Sequence, residues 1–409
     1  MSLAAQPGIS IDEIECIPVT IPIEVPILTS YGSLKSYARS IIRIGTNSGL
    51  VGYGDVSARV RPDTIRTFLP MLRGLSPWDT TIIERRIRNW NYYPWQKPEP
   101  VIAAIEMACL DIQGKALDLP LYRLLGGKMH RKVPVAGYLF YRHANAEGAG
   151  EIHGPDAMVD FARRIVDRHG FTSLKLKGGY FAPEIDRDTL EALRDTFGRD
   201  MRLRIDAQGA WTPTTAIRIA RDLERIGLEY YEDPVWNAAQ MAQVRKSTTL
   251  PLATNMCVTT FDDLYPALQL GAVDIILSDI WYWGGLRPSM QLERLCTTLG
   301  LDVGVHSGTE LAIGWAAMVH AAAAMPGLRL AIDYMNMHLV DDIGIGERLM
   351  PVGGEVAPPE APGLGVEVDA VKLERYAALA ASGAADDRFL NPTAADQARP
   401  GWYPEMPAW

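Results

Sequence analysis

Cysteine is scarce in this sequence, with four residues in 409 and none of them in a Cys-x-x-Cys pair. Such wide spacing argues against a disulfide framework or a zinc site and is typical of reduced, buried thiols in a cytoplasmic protein. Long apolar runs are missing too, since no stretch approaches about 18 uninterrupted apolar residues. The N-terminus lacks a basic segment followed by an apolar one, so neither a membrane partner nor a secretion signal is predicted. The cysteines are Cys16, Cys109, Cys257 and Cys296.

A surplus of positive charge is also absent. Lysine and arginine number 40 against 49 acidic residues, which gives a net charge of −9, and no run of basic residues occurs. This balance argues against nucleic acid or an anionic membrane as the main partner, but local positive charge at a site still allows an anionic small molecule. With an apolar fraction of 48%, a chain of this length can bury a large core and form more than one domain.

The first part of the chain predicts an α+β domain over residues 1–130. Short strand-like runs at 11–23, 38–44 and 49–55 are separated by proline, glycine and serine, which favours an antiparallel meander. Apolar residues at helical spacing then predict helices over 80–92 and 100–116, and glycines 126 and 127 end this pattern.

From residue 133 the pattern changes to alternating strands and amphipathic helices. Eight apolar runs separated by roughly 20–40 residues are typical of a (β/α)8 TIM-type barrel, which we place at residues 131–345. No Gly-x-Gly-x-x-Gly follows an early strand, and this argues against a doubly wound open sheet. The predicted strands are 133–138, 173–177, 202–206, 229–232, 250–255, 273–279, 301–306 and 328–333, and the named helices are 157–169, 188–197, 214–226, 260–270 and 288–299.

The repeat stops after residue 345. Residues 346–409 are rich in turns and contain one predicted helix, at 371–381, and we expect this segment to return to the first domain. The last stretch, 392–409, is rich in proline and tryptophan and is interpreted as an extension that wraps the surface.

Three of the predicted strands end on side chains with hard oxygen atoms. Asp206 and Glu232 are 26 residues apart, and Asn255 follows 23 residues later. Because consecutive parallel strands of a barrel end side by side, these side chains should converge, and oxygen ligands without histidine or cysteine suit Mg²⁺. Taken singly, the three also fit a helix N-cap, a turn and an Asx turn.

Two lysines end a further strand, Lys175-Leu176-Lys177. Residues two apart in a strand point to the same face, so both ammonium groups should enter one site. An isolated pair of this kind is more often a solvated edge, but here it lies within the repeat and opposite the acids. Two adjacent cations lower each other's pKa, which would help one of them act as a base.

Asp279 and His306 end two neighbouring strands, 27 residues apart. A carboxylate beside an imidazole fixes its tautomer and raises its basicity, as a general base requires. A lone histidine after an apolar strand is more often a core residue, and the aligned aspartate is what favours the catalytic interpretation. The other six histidines lack such a partner and are interpreted as surface or packing residues.

These groups together suggest proton abstraction next to a carboxylate. A divalent ion on Asp206, Glu232 and Asn255, assisted by Lys175, would stabilise the enediolate that forms when the α-proton leaves. Lys177 and His306 would bracket the α-carbon, so that one removes the proton while the other returns one or expels a β-hydroxyl as water.

The motifs in this sequence resemble those of the enolase superfamily, and within it the acid-sugar dehydratases of the mandelate racemase and glucarate dehydratase type. The resemblance covers nearly the whole chain. The motifs that carry it are Ala103-Ala-Ile-Glu-Met-Ala-Cys-Leu-Asp-Ile112, Leu124-Leu-Gly-Gly127, Lys175-Leu-Lys177-Gly-Gly, Asp206-Ala-Gln-Gly-Ala-Trp211, Glu232-Asp-Pro234, Ala253-Thr-Asn-Met256, Asp279 with Gly284-Gly285, His306-Ser, Ala331-Ile-Asp333 and Pro362-Gly-Leu-Gly-Val-Glu-Val-Asp369.

The resemblance implies a cap built from both chain ends over a modified barrel, and an assembly of several identical subunits. It implies Mg²⁺ ligands at Asp206, Glu232 and Asn255, bases at Lys177 and His306 with Asp279, and an enediolate-stabilising Lys175. An asparagine as third ligand is similar to the glucarate dehydratase branch. Gln208 and Ser307-Gly308-Thr309 depart from that branch, as do the cap segments 29–39 and 57–61. The predicted substrate contacts are Gln208, Asp333, Arg59 and Arg61.

The predicted reaction is therefore Mg²⁺-dependent dehydration of a sugar acid to a 2-keto-3-deoxy acid. Two carboxylates and an amide leave the metal site formally neutral, which favours a strongly anionic aldarate such as glucarate or galactarate, or an aldonate. An epimerase or racemase with the same two bases is the alternative enzyme, and trapping of a 2-keto product separates the two. A barrel kept only as a binding protein is a remote alternative, which deuterium exchange at the α-carbon would exclude.

Overall fold

The computed structural model describes residues 8–58, 60–90, 97–383 and 406–409. The chain opens with three antiparallel strands in the order β1, β2, β3, which span Ile11–Thr29, Gly32–Thr46 and Val51–Ser57. The pairing of Thr29 with Gly32 leaves only Ser30 and Tyr31 in the turn between the two long strands. The predicted meander is confirmed, and β1 is longer than the predicted run.

Four helices follow the meander: α1 (Pro62–Leu72), α2 (Thr80–Trp90), α3 (Glu99–Leu117) and α4 (Leu121–Leu124). Helix α3 is buried along most of its length and lies directly on β3. Gly52 and Gly54 make this approach possible, because a Cβ at either position would overlap the carbonyl oxygens of Ala108 and Ala104.

Eight parallel strands form a curled sheet, and this confirms the predicted modified (β/α)8 barrel. The first strand, β4, pairs with both β5 and β11, and the order runs from β11 through β4 to β10. Strands β10 and β11 are neighbours, but among the described residues no strand ladder joins them. The strands are β4 (Val133–Phe140), β5 (Ser173–Lys177), β6 (Arg202–Asp206), β7 (Tyr230–Glu232), β8 (Leu252–Thr254), β9 (Ile275–Ser278), β10 (Asp302–Val305) and β11 (Ile332–Tyr334).

Local sequence signals mark the ends of the barrel helices, as α7 shows. Proline 213 occupies the first position of α7, the Thr212 hydroxyl accepts a hydrogen bond from the Thr215 amide at 3.3 Å, and Gly227 ends the helix at a φ of 75°. The helices are α5 (Pro155–His169), α6 (Pro183–Phe197), α7 (Pro213–Ile226), α8 (Ala238–Arg245), α9 (Phe261–Leu270), α10 (Ile280–Trp283), α11 (Leu286–Leu299) and α12 (Ala312–Ala324).

The chain after the barrel returns to its beginning. A 3-10 turn at Asn336–His338 leads to β12 (Glu355–Val356), which pairs antiparallel with β4, and α13 (Ala370–Ser382) packs against β1. One apolar core joins the meander, the barrel and this helix. The predicted domain limits at 130 and 345 stay a prediction. No helix in the described part of the chain is long and apolar enough to cross a membrane.

Candidate active site

The predicted metal ligands lie together at the carboxyl ends of the barrel strands. Asp206 and Glu232 are the last residues of β6 and β7 and are paired in register, and Asn255 follows β8 directly. All three are buried. Asp206, Glu232 and Asp233 each offer an oxygen atom within 4.8 Å of the others.

Three oxygen atoms at this centre are buried without a hydrogen bond: Asn255 Oδ1 and both carboxylate oxygens of Glu232, of which Oε2 is in an ion pair with Lys175. Burial, followed by the charge of Asp206, raises the pKa of Glu232 well above its usual range. Oxygen atoms left without donors among repelling carboxylates fit a hard divalent cation such as Mg²⁺. Asp206, Glu232 and Asn255 are the residues that would hold such an ion, and their role as its ligands stays a prediction.

Asp233 was not predicted as part of the site, although it follows a predicted ligand directly. Its carboxylate accepts hydrogen bonds from the Thr254 hydroxyl at 2.5 Å and from the backbone N–H of Asn255 at 2.9 Å. Asp233 therefore fixes the loop that presents the Asn255 side chain. Burial and the nearby Asp206 raise the pKa of Asp233 to about 7. The formally neutral metal site inferred from sequence therefore has a third carboxyl group beside it.

Lys175 is fully buried between two carboxylates. Its ammonium group lies 2.7 Å from Asp333 Oδ2 and contacts Glu232 Oε2 in an ion pair. Burial acts to lower the pKa of Lys175, but Asp333 and Glu232 outweigh it and hold that pKa well above its usual range. The expected lowering of this pKa by the adjacent lysine is therefore wrong for Lys175, because the negative charges of Asp333 and Glu232 decide the direction of the shift. The group is a fixed positive charge beside the metal ligands.

Asp333 was predicted to contact substrate, but in the structure it is buried inside the barrel and bonded to other side chains. Its Oδ2 accepts from the Tyr138 hydroxyl at 2.6 Å as well as from Lys175, while Oδ1 lies 3.5 Å from Arg204 Nη1. The residue is 1% exposed. With both oxygens engaged inside the barrel, Asp333 is suited to position Lys175. Tyr138 and Arg204 are partners that no local sequence pattern identified.

Lys177 points to the same face as Lys175, as strand alternation predicts. Its ammonium group lies 2.6 Å from Asp206 Oδ2 and 4.8 Å from the centre of the Tyr138 ring. Although largely buried, it retains 5% exposure, so it stands at the boundary between the oxygen cluster and the barrel mouth.

His306 and Asp279 form the predicted dyad, with 3.1 Å between His306 Nδ1 and Asp279 Oδ2. A proton on Nδ1 facing the carboxylate leaves the Nε2 lone pair available. Burial, then the charges of Lys177 and Lys175, hold the pKa of His306 well below its usual range. The expected rise in basicity is therefore wrong, because burial and two cations outweigh one aspartate. At neutral pH the imidazole is uncharged and can accept a proton.

A buried ion pair of the meander, which was not predicted, contacts the segments that follow Asp279 and His306. Arg39 Nε lies 2.6 Å from Asp55 Oδ1, and the Arg39 guanidinium stacks 4.8 Å from the Trp281 ring centre. The Trp281 indole donates to the Asp55 carbonyl, and the Leu311 amide donates to Asp55 Oδ2 at 2.8 Å. Asp55 thereby ties the meander to helix α10, which follows Asp279, and to the loop that follows His306.

The remaining predicted substrate contacts fall in different places. Gln208 lies at the barrel mouth. Its backbone N–H donates to Asp206 Oδ1 at 2.7 Å, and its side-chain oxygen accepts from the backbone N–H of Ser30 at 2.7 Å. Arg61 is exposed and directly precedes α1, and its contact with substrate stays a prediction. Arg59 lies outside the described residues.

The turn between β1 and β2 covers the oxygen cluster. Besides the Ser30 contact with Gln208, the Tyr31 hydroxyl lies 3.4 Å from the Gln208 carbonyl oxygen, and its ring meets Trp236 edge-on at 6.5 Å. Burial, followed by Asp206 and Asp233, raises the pKa of Tyr31. The mouth is thus formed by barrel loops and by the meander together.

Comparison with known proteins gives one consistent family. Residues 11–126 match the mandelate racemase / muconate lactonizing enzyme N-terminal domain, and residues 157–372 match the family described as enolase C-terminal domain-like.

Among similar proteins, one from Streptomyces coelicolor named "Probable glucarate dehydratase" is 43% identical over 322 residues, which are 76% of this chain and 73% of that protein. The N-succinyl-L-Arg/Lys racemase of Bacillus cereus is 27% identical over 370 residues, 87% of this chain and 95% of that protein. A crystal structure of an enolase from Pseudomonas fluorescens with bound magnesium, potassium and tartrate has a TM-score of 0.90 and 32% identity, and covers 98% of this chain and 100% of that one.

Proposed function

Since the chain belongs to the enolase superfamily, we propose that it removes the α-proton of a sugar-acid carboxylate and expels the β-hydroxyl as water. The product is a 2-keto-3-deoxy acid. One observation carries the proposal. Two bases of different chemistry, Lys177 on β5 and His306 after β10, flank a buried cluster of oxygen ligands that a divalent cation fits.

Different residues of the centre would bind the substrate carboxylate, remove the proton and stabilise the developing charge. Bound Mg²⁺ would hold the substrate carboxylate and offset the negative charge that develops on it. The base on the side of the α-proton takes that proton, and the electron pair of the C–H bond moves onto the carboxylate as an enediolate. The buried ammonium group of Lys175 donates hydrogen bonds to this charge without having to reorganise.

The second half of the reaction restores the carboxylate. As the enediolate electrons form a Cα–Cβ double bond, the β-hydroxyl leaves and takes a proton from a protonated base, so that water is released. The resulting enol becomes the 2-keto acid by gaining a proton at the β-carbon and losing the proton of its hydroxyl group. His306 is neutral before the reaction and accepts a proton through Nε2, while Asp279 fixes its ring.

An aldarate or an aldonate is the substrate class we favour. The buried charge of Lys175 and the ammonium group of Lys177 stand beside the place where an acid would bind, and they suit an anion. The tartrate bound in the Pseudomonas fluorescens enolase is a dicarboxylic hydroxy acid, which supports a diacid as the first choice.

The second candidate is an epimerase or racemase of 2-hydroxy acids. The observation that favours it is the same pair of bases, because a proton taken by Lys177 and returned by His306 inverts the α-carbon. No β-hydroxyl needs to leave in that reaction.

A screen of mono- and dicarboxylic sugar acids with MgCl2 tests the proposal. Formation of a 2-keto acid, together with deuterium uptake at the α-carbon in D2O, is the expected result. Exchange without a 2-keto product would favour the epimerase, and absence of exchange with every acid would contradict both. The Lys177→Ala/His306→Ala double variant is the control, and it should show neither activity.

A further inference from the structure

The segment 406–409 lies on the barrel mouth and contacts two of its loops. The amides of Ala408 and Trp409 donate to the Ala210 carbonyl at 2.8 and 3.1 Å, and the Thr212 amide donates to the Trp409 carbonyl at 2.7 Å. The Trp409 indole donates to the Gly179 carbonyl at 3.3 Å. Four hydrogen bonds, all made by Ala408 and Trp409, therefore join this segment to the top of the barrel.

The two loops so contacted present the lysine base and the first metal ligand. Gly179 follows Lys177 by two residues, and Ala210 follows Asp206 by four. The Trp409 indole bonds the first loop and its backbone bonds the second, so the segment bridges them.

These loops also pack directly on each other. The Gly178 amide donates to the Asp206 carbonyl at 2.9 Å. Gly179 has a φ of 85°, and a Cβ there would lie 2.5 Å from the Ala207 carbonyl oxygen. Any opening between the loops would move Lys177 relative to Asp206, whose side chains are 2.6 Å apart.

The hydrogen bonds of this segment are confined to the lysine side of the mouth. All of those found among the described residues go to Gly179, Ala210 and Thr212. His306 and Asp279 directly follow strands β10 and β9, and the segments after them are held instead through Asp55. Loss of the segment should therefore act on one base more than on the other.

We propose that residues 406–409 are a positioning segment that clamps the loops after β5 and β6 and so sets the reactivity of Lys177. Trp409 is its main positioning residue, because its indole and its backbone bond different loops. The proposal rests on the proposed function for its catalytic consequence. Its structural consequence, restraint of the two loops, can be measured without any substrate.

Hydrogen–deuterium exchange of the whole protein tests the restraint. Trp409→Ala should speed amide exchange in 178–186 and 207–212 by about tenfold, and Trp409→Phe, which keeps an aromatic ring but lacks the indole donor, by a few-fold. Trp78→Phe is the matched control, a half-exposed tryptophan in the loop before α2, and should leave these peptides unchanged. Unchanged exchange in the two Trp409 variants would overturn the proposal.

Deuterium uptake at the α-carbon tests the consequence for Lys177. With epimeric sugar acids that place the α-proton on opposite sides, Trp409→Ala should slow exchange from the lysine side about tenfold and leave the histidine side within twofold. An equal loss on both sides would indicate a merely structural role and would overturn the proposal. If the unmodified protein exchanges neither epimer, the proposed function fails, whereas the amide measurement still decides whether the segment restrains the loops.

Discussion

The two sides of the barrel mouth are built differently, although each presents one base. On the lysine side the charged partners all come from barrel strands, since Lys177 pairs with Asp206 and Lys175 with Glu232 and Asp333. On the histidine side the dyad of His306 and Asp279 adjoins loops that are tied to the meander through Asp55.

This difference shows how one site can combine two kinds of base. Lys175 remains a cation because Asp333 and Glu232 of the same sheet raise its pKa, whereas His306 stays neutral because burial and the nearby lysines lower its pKa. The ion pairs of the lysine side therefore depend on the barrel strands, whereas the segments beside the histidine dyad are held through Asp55 of the meander. Changes directed at each side should have separable effects.

Removal of either base should give the largest effect. Lys177→Ala and His306→Ala should each lower α-carbon deuterium exchange by on the order of 1,000-fold for the epimer whose proton faces the missing base. The opposite epimer should keep most of its exchange. Equal losses for both epimers in both variants would contradict a division of labour between the sides.

Loss of the Arg39–Asp55 ion pair, which lies beside the histidine side, should lower the free energy of unfolding. Asp55→Asn leaves Arg39 buried without its carboxylate partner, and we expect the free energy of unfolding in urea to fall by about 3 kcal/mol, roughly 150-fold in the equilibrium constant. Glu13→Gln removes an ion-pair partner of Arg43 that is 47% exposed and should cost under about 1 kcal/mol. Similar losses in the two variants would show that Asp55 gives no special support.

Removal of a metal ligand should disable both sides together. Glu232→Gln should raise the dissociation constant for Mg²⁺, measured by calorimetry, by about 100-fold, and EDTA should stop exchange of both epimers in the unmodified protein. Glu229→Gln is a suitable control because Glu229 pairs with Arg202 and Arg204 instead. Exchange that survives EDTA would contradict a role for the metal.

A charge change at the centre should give the smallest effect. Asn255→Asp supplies another carboxylate ligand, so Mg²⁺ should bind at least as well as before. Substrate binding should weaken by about fivefold, because Asp233 already adds negative charge beside the site. Binding of both ligands can be followed by calorimetry, and a weaker Mg²⁺ affinity with unchanged substrate affinity would contradict the charge argument.

Much of the fold could be predicted because it follows local patterns. Strands β5 and β6 have the predicted bounds, and each of the other six observed barrel strands lies within its predicted run or passes the end of that run by one or two residues. Helices α8 and α12 are not among the predicted segments. Helix α12 is apolar on all sides and buried from its second residue to its last, so it has no amphipathic period to detect. Helix α8 is only eight residues long.

The sequence predicted the site residues that lie at strand ends. It did not predict the partners that are distant along the chain. The ligands and bases lie at strand ends, so spacing alone brings them together. Tyr138 and Asp333 are 195 residues apart, and Asp55 reaches Leu311 across 256, and no local pattern encodes such pairs. The directions of the pKa shifts of Lys175 and His306 were missed for the same reason, since burial and distant charges decide them.

The packing of α13 on β1 bears on how the molecule assembles during synthesis. The strand is synthesised before the barrel and the helix after it, so their contact must wait for the whole barrel to be made. Until then the outer surface of β1 stays uncovered, and the meander that supports the histidine side lacks one of its neighbours. Maturation of that side should therefore lag behind formation of the barrel.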